Sequence, residues 1–117
     1  MPYVQVNTSV RLSDAEKHSL CEDIGVIMPT IPGKTRDNTM MCINDGCYME
    51  KSDAKNPVVN LEVRLLGDTT DKIKEEYVGR ITKLFEDKLK VSPENTYINI
   101  IAYGDWGAGG SFKKASG

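Results

Sequence analysis

Hydrophobic positions along the chain switch between a period of two and a period near four. From Tyr3 to Val10, Val4 and Val6 alternate with Gln5 and Asn7, which predicts a strand. Ser13-Asp14-Ala15-Glu16 then forms a capping box, with Ser13 as N-cap and Glu16 reaching back. Leu20, Ile24, Ile27, Met28 and Ile31 follow at helical spacing, and Pro29 should end or kink that helix near Met28. Gly33 supplies a turn immediately before Lys34. Thr39 to Ile43 reads as a second strand, and the polar stretch from Asn44 to Asn56 as a loop or hairpin. Behind Pro57 lies the most strand-like run, Val58 to Leu66, with Val59, Leu61, Val63 and Leu65 on one face. A second helix is expected from Thr70 to Lys90, its apolar stripe formed by Ile73, Tyr77, Ile81, Leu84, Phe85 and Leu89. Ser92-Pro93-Glu94 is a turn. Thr96 to Tyr103 is a last strand, with Ile98, Ile100 and Ala102 on one face and Tyr97, Asn99 and Ile101 on the other. The glycine-rich tail from Gly104 to Gly117 has Trp106 and Phe112 as its large apolar anchors.

The order strand, helix, strand, strand, helix, strand is one β-α-β unit used twice. Two such units side by side give an α+β fold, a four-stranded sheet with both helices on one face. The other face is then uncovered, and Tyr97, Asn99, Ile101, Glu62 and Arg64 would lie on it. A half-apolar open face favours self-association, and Glu62 and Arg64 are expected at subunit contacts.

Composition narrows the function. The 117 residues fit a single domain, 1–117, with 39% apolar and 27% charged positions. A net charge of −2 leaves no electrostatic footprint for nucleic acid. No apolar run approaches the roughly 18 residues of a membrane span. No secretory signal pattern opens the chain, so the default location is the cytoplasm. The three cysteines, Cys21, Cys42 and Cys47, are too few and too irregular for a disulfide framework. With His18 they make only a scattered set of metal-ligand types, so no metal or other cofactor is expected.

The candidate chemistry begins at the second residue. Proline at the first position of a strand is structurally harmless, because no ladder N–H is needed there. If Met1 is removed, however, Pro2 carries a free secondary amine. Burial or a nearby cation would lower its pKa and leave it neutral near pH 7, a state suited to a general base. Lys34 is such a cation if the Gly33 turn returns it to the first strand, although most lysines are simply solvated. Tyr97 and Asn99, two apart on a strand, share a face that is either solvated or a recognition surface. Trp106 and Phe112 are more often packing anchors than ligand contacts, and His18 sits on the polar side of its helix.

Taken together, Met1-Pro2, Gly33-Lys34, Leu66-Gly67, Val91-Ser92-Pro93, Tyr97-Ile98-Asn99 and Asp105-Trp106-Gly107 resemble the macrophage migration inhibitory factor family of the tautomerase superfamily. The resemblance spans Met1 to about Phe112. It implies a β-α-β-β-α-β subunit, a homotrimer and a site between subunits. Pro2 would be the general acid/base of a cofactor-free keto–enol tautomerase acting on 2-oxo acids such as phenylpyruvate. Lys34 and the backbone N–H of Leu66 would bind carboxylate or carbonyl oxygens. Tyr97 and Asn99 would come from the neighbouring chain, and Trp106 and Phe112 would hold an aromatic ring.

Several positions depart from the family pattern. Thr35 replaces the proline common after the lysine, and Cys47 to Lys51 replace a Phe-Gly-Gly segment. Val58 and Leu61 stand where some members carry a C-x-x-C, so no thiol-oxidoreductase activity is carried over. The tail is one residue shorter and has Ala108 in place of a second aromatic, which implies a wider pocket. The alternative reading is a signalling ligand with a vestigial pocket and a receptor partner, exported without a signal peptide as family members often are. Decarboxylase or dehalogenase chemistry ranks low, because Arg11, Arg36 and Arg64 match no pattern of those relatives.

Overall fold

The computed structural model describes residues 1–116. The chain runs β1 (Pro2–Thr8), α1 (Asp14–Ile27), β2 (Met40–Asn44), β3 (Val59–Leu66), α2 (Asp71–Leu89), β4 (Thr96–Tyr103), β5 (Asp105–Ala108) and β6 (Ser111–Lys114), with 3-10 turns at Met28–Thr30 and Pro93–Asn95. β1 to β4 form one sheet in the order β2-β1-β3-β4. β1 pairs in parallel with β2, β3 in parallel with β4, and the central pair β1–β3 is antiparallel. Each helix thus serves as the crossover of one parallel pair, and the two β-α-β units join through their first strands.

Alternation along the strands separates the two faces. In β1 the residues Val4, Val6 and Thr8 are buried, as are Val59, Leu61, Val63 and Leu65 of β3. They meet Leu20 and Ile24 of α1 and Tyr77, Ile81, Phe85 and Leu89 of α2 in one core. Both helices therefore cover the same face. Each such aliphatic side chain taken from water contributes about 1.5–3 kcal/mol. Among the described residues the Tyr77 hydroxyl, buried in this core, reaches only the Met28 thioether, at 3.5 Å. The opposite face carries Glu62 beside Asn99 and Arg64 beside Ile101 in register, and no helix covers it.

The helix ends follow the sequence signals. Ser13 Oγ accepts from Glu16 N at 3.1 Å and Glu16 Oε1 accepts from Ser13 N at 2.9 Å, completing the capping box. Thr70 caps α2, and Lys90 closes it in the left-handed conformation. Pro29 ends α1 in the 3-10 turn, and Ile31 is buried beyond it while Ile27 is only half-buried.

Several details differ from the sequence expectation: β3 starts at Val59 rather than Val58, and α2 spans Asp71–Leu89 with Thr70 and Lys90 as its caps. β1 ends at Thr8 rather than Val10, because Val10 N turns back to Thr8 Oγ1 at 3.2 Å. β2 starts at Met40 rather than Thr39, whose N–H is spent on Arg36 O at 3.2 Å. Ala102 lies exposed at the end of β4, past the helices that cover Ile98 and Ile100. The tail is not irregular. It folds into the hairpin β5–β6, turned by Gly109 and Gly110, both at positive φ (59° and 79°), a geometry that glycine adopts without strain.

Candidate active site

β1 begins at Pro2, placed opposite Leu65 in the antiparallel pair. Proline suits this first ladder position, and its ring is buried. Leu66 continues β3 one residue past Pro2, the start of β1. Above this edge lies the loop between α1 and β2. Lys34 N donates to Ile31 O at 3.1 Å, Asn38 Oδ1 accepts from Thr35 N at 2.9 Å, and Asn38 Nδ2 donates to Gly33 O at 3.2 Å. Thr39 Oγ1 donates to Thr35 O at 2.6 Å. These bonds hold the loop so that Lys34 stands beside the chain start. Burial, then the Lys34 charge, then a Lys34 hydrogen bond hold the Met1 amine below its ordinary value. With Met1 attached the Pro2 nitrogen is an amide and has no basic lone pair.

Two cavities flank this edge. One, of about 730 Å³, is lined by Pro2, Tyr3, Asn38, Met40, Arg64, Tyr103, Trp106 and the Gly107–Gly109 end of β5, with Asp105 also on its wall. The other, of about 600 Å³, is lined by Lys34, Leu65, Leu66 and the segment leading into α2. Tyr103 and Trp106 pack edge to face in the first, with centroids 6.0 Å apart. Arg64 is pinned there by Glu62, which accepts from its Nη2 at 2.9 Å, and by the Tyr3 ring, 5.4 Å from its Cζ. Its Nε is buried and has no partner among the described residues.

The structure thus brings Pro2, Lys34 and Leu66 to one end of the central strands and sets Trp106 in the wall beside Pro2. It does not bring Phe112 there. That ring is exposed on β6 and borders a separate depression of about 360 Å³ along the hairpin. Within one subunit Tyr97 and Asn99 lie away from both cavities. Lys51 Nζ stacks on the Tyr97 ring at 5.3 Å, and Asn99 Nδ2 donates to Asn60 Oδ1 at 2.8 Å. Both remain on the open face of the sheet, available to a neighbouring copy.

Tyr3, Asn38, Arg64 and Tyr103 are lining residues that sequence reasoning did not select. Arg64 and Tyr103 had a legible signal: period-two alternation carries both onto the open face, at the end of β3 and β4 where Pro2 lies. Asn38 had none, because its place depends on the loop bonds. Cys21, Cys42 and Cys47 are free and half-buried, and among the described residues no cluster of His, Cys, Asp and Glu could hold a metal ion.

Comparison with solved structures finds this fold repeatedly. The macrophage migration inhibitory factor MIF2 of Leishmania major superposes with a TM-score of 0.87 at 21% identity, over 97% of this chain and 97% of that one. The homologue from Oncomelania hupensis gives 0.81 at 18% identity, over 98% and 84%. A third similar structure, Pt0534 inactivated by 2-oxo-3-pentynoate, gives 0.79 at 15% identity, over 92% and 92%. No curated protein sequence matches the chain. The sequence model of one family, however, matches residues 1–111, which carry the Pro2 edge, both crossovers and the start of the closing hairpin. On that match, the chain belongs to the macrophage migration inhibitory factor (MIF) family.

Proposed function

We propose that the protein is a cofactor-independent keto–enol tautomerase of 2-oxo acids, with Pro2 as its general acid/base after removal of Met1. The observation that carries this reading is the buried Pro2 at the start of β1, in the wall of a cavity of about 730 Å³, with Lys34 against the chain-start amine one residue before it. Family membership supports it, as does the fold shared with a protein that an acetylenic 2-oxo acid inactivates.

The chemistry follows from the residues. A free Pro2 amine would stand where burial and the Lys34 ammonium both disfavour a positive charge, so it is neutral at a lower pH than an ordinary amine. In the keto-to-enol direction the neutral amine takes the proton from the carbon next to the carbonyl and passes it to the enolate oxygen; in the reverse direction it takes the enol O–H proton and delivers it to that carbon. Lys34 and the Leu66 N–H stabilise the developing enolate and fix the carboxylate. Trp106 offers a flat apolar wall for the substituent. A homotrimer formed across the open sheet face would add Tyr97 and Asn99 of a neighbouring subunit.

The test is phenylpyruvate enol-to-keto conversion followed by ultraviolet absorbance, on protein whose free Pro2 terminus is confirmed by mass. Activity in that protein and its loss in Pro2→Gly are the expected results. Inactivity of both would overturn the assignment and bring the receptor-ligand alternative forward. A sedimentation measurement showing a monomer would remove Tyr97 and Asn99 from the site.

A further inference from the structure

We infer that Arg64 is a second anion-binding group of the Pro2 site and that the preferred substrates are 2-oxo dicarboxylates rather than aromatic 2-oxo monocarboxylates. The inference rests on the tautomerase reading and deepens it.

Arg64 stands in the same cavity wall as Pro2, Tyr3 and Trp106, with its side chain 36% exposed. Among the described residues its recorded hydrogen-bond partner is Glu62, through Nη2, and its Nε is buried without an acceptor. A guanidinium has five donors in a rigid fork that matches a carboxylate along one edge. The present arrangement therefore leaves the fork largely unused and one donor desolvated, an expensive state for a polar group. A small rotation over the Tyr3 ring would present Nε and Nη together to a carboxylate in the cavity and satisfy both.

Lys34 lies on the other side of the chain start, so two cations of different geometry bracket Pro2. One suits the carboxylate next to the reacting carbonyl, the other a carboxylate at the far end of a short substrate. Trp106 and Tyr103 close the wall between the strands and the hairpin, and Gly107–Gly109 leave it without further side-chain bulk. Glu62 offsets part of the Arg64 charge but also aims it. Asp105 is exposed, where water screens it. Arg64 also faces the uncovered side of the sheet, so a carboxylate of a neighbouring copy is the competing acceptor.

The experiment uses the full chain with Met1 removed. Trp106 is the sole tryptophan, so its fluorescence reports ligand in this cavity. Titration with 2-oxoglutarate is expected to quench it. Arg64→Met should weaken that binding about tenfold or more, the size of a lost charge-assisted bond, with partial recovery in Arg64→Lys. Phenylpyruvate binding should fall by a clearly smaller factor than 2-oxoglutarate binding, since a monoanion lacks the second carboxylate. In parallel, wild type should enolise oxaloacetate with a higher kcat/KM than phenylpyruvate. The inference is overturned if 2-oxoglutarate fails to bind, or if Arg64→Met leaves its affinity unchanged. It is also overturned if Arg64→Met dissociates the assembly without a selective loss of dicarboxylate, which would assign Arg64 to a subunit contact. Phenylpyruvate turnover that persists through these failures would leave the tautomerase reading intact. Dicarboxylate binding without turnover of either acid would remove that reading and retain the anion site.

Discussion

Gly25→Ala in α1 sets helix propensity against packing. Alanine is favoured over glycine within a helix by about 1 kcal/mol, so propensity alone predicts a gain. The structure predicts the opposite. A Cβ built on Gly25 would lie 2.3 Å from Cδ of Arg36 and 2.9 Å from its Cβ and Cγ. Carbon atoms in contact prefer about 3.5–4.0 Å. The Arg36 Cδ can swing away, because its Nε is held only by an exposed ion pair with Glu22 at 3.0 Å. The Arg36 Cβ cannot, since it is fixed to the backbone of the loop that carries Lys34 and Asn38. Overpacking of this kind costs about 1–3 kcal/mol. Net of propensity, stability should fall by up to about 2 kcal/mol, a Tm lower by several degrees for a chain of this size. The assay is thermal unfolding of Gly25→Ala, Arg36→Ala and the double variant. The double variant should lose less than the sum of the singles, because truncation removes Cδ and Cγ from the clash. Displacing the loop by a fraction of an ångström should also lower kcat/KM several-fold through Lys34. A Gly25→Ala protein with a raised Tm and unchanged kinetics would refute the close approach of this loop to α1.

Three further outcomes follow from particular contacts. A free Pro2 amine is basic only when deprotonated, so kcat/KM should rise as pH increases through its pKa. That limb should move to higher pH in Lys34→Met, because a nearby cation disfavours the charged amine; an unmoved limb would sever Lys34 from Pro2. Tyr77→Phe should change stability by less than about 1 kcal/mol, since the hydroxyl meets only a thioether, whereas Tyr77→Ala should cost about 3–5 kcal/mol in denaturant melts. Asp45 accepts from Leu12 N at 2.8 Å and Lys17 Nζ at 2.9 Å, and these two contacts, the backbone one first, hold its carboxyl below the usual carboxylate range. It therefore stabilises the fold above its unfolded pKa and loses that contribution as pH falls through the folded one. Asp45→Asn should melt lower than wild type at pH 7 and converge with it in acid, and parallel curves at every pH would contradict the linkage.

Local pattern alone accounts for most of the elements and their faces. Period-two runs at Val4–Val6 and Val59–Leu65 and the stripe of α2 fix which side chains seek the core, because burial of apolar surface dominates and each period permits one face. The Ser13 box and Pro29 fixed the ends of α1, since local hydrogen bonds and the missing N–H act without tertiary help. The hairpin β5–β6 did not stand out in the sequence, because its two strands are only four residues long and lie in a glycine-rich tail without sustained alternation. The candidate site is a product of tertiary packing. Pro2, Lys34, Arg64 and Trp106 lie on β1, a loop, β3 and a hairpin, far apart in the chain, and no local periodicity relates them. Pro2, Arg64 and Trp106 share one cavity because the antiparallel β1–β3 register sets Pro2 opposite Leu65, and Lys34 lines the neighbouring one on the loop that Asn38 and Thr39 tie down. Arg64 shows the difference most directly. Alternation placed it on the open face beside Glu62, two residues back on the same strand, but its cavity needs the β5 residues that complete the lining.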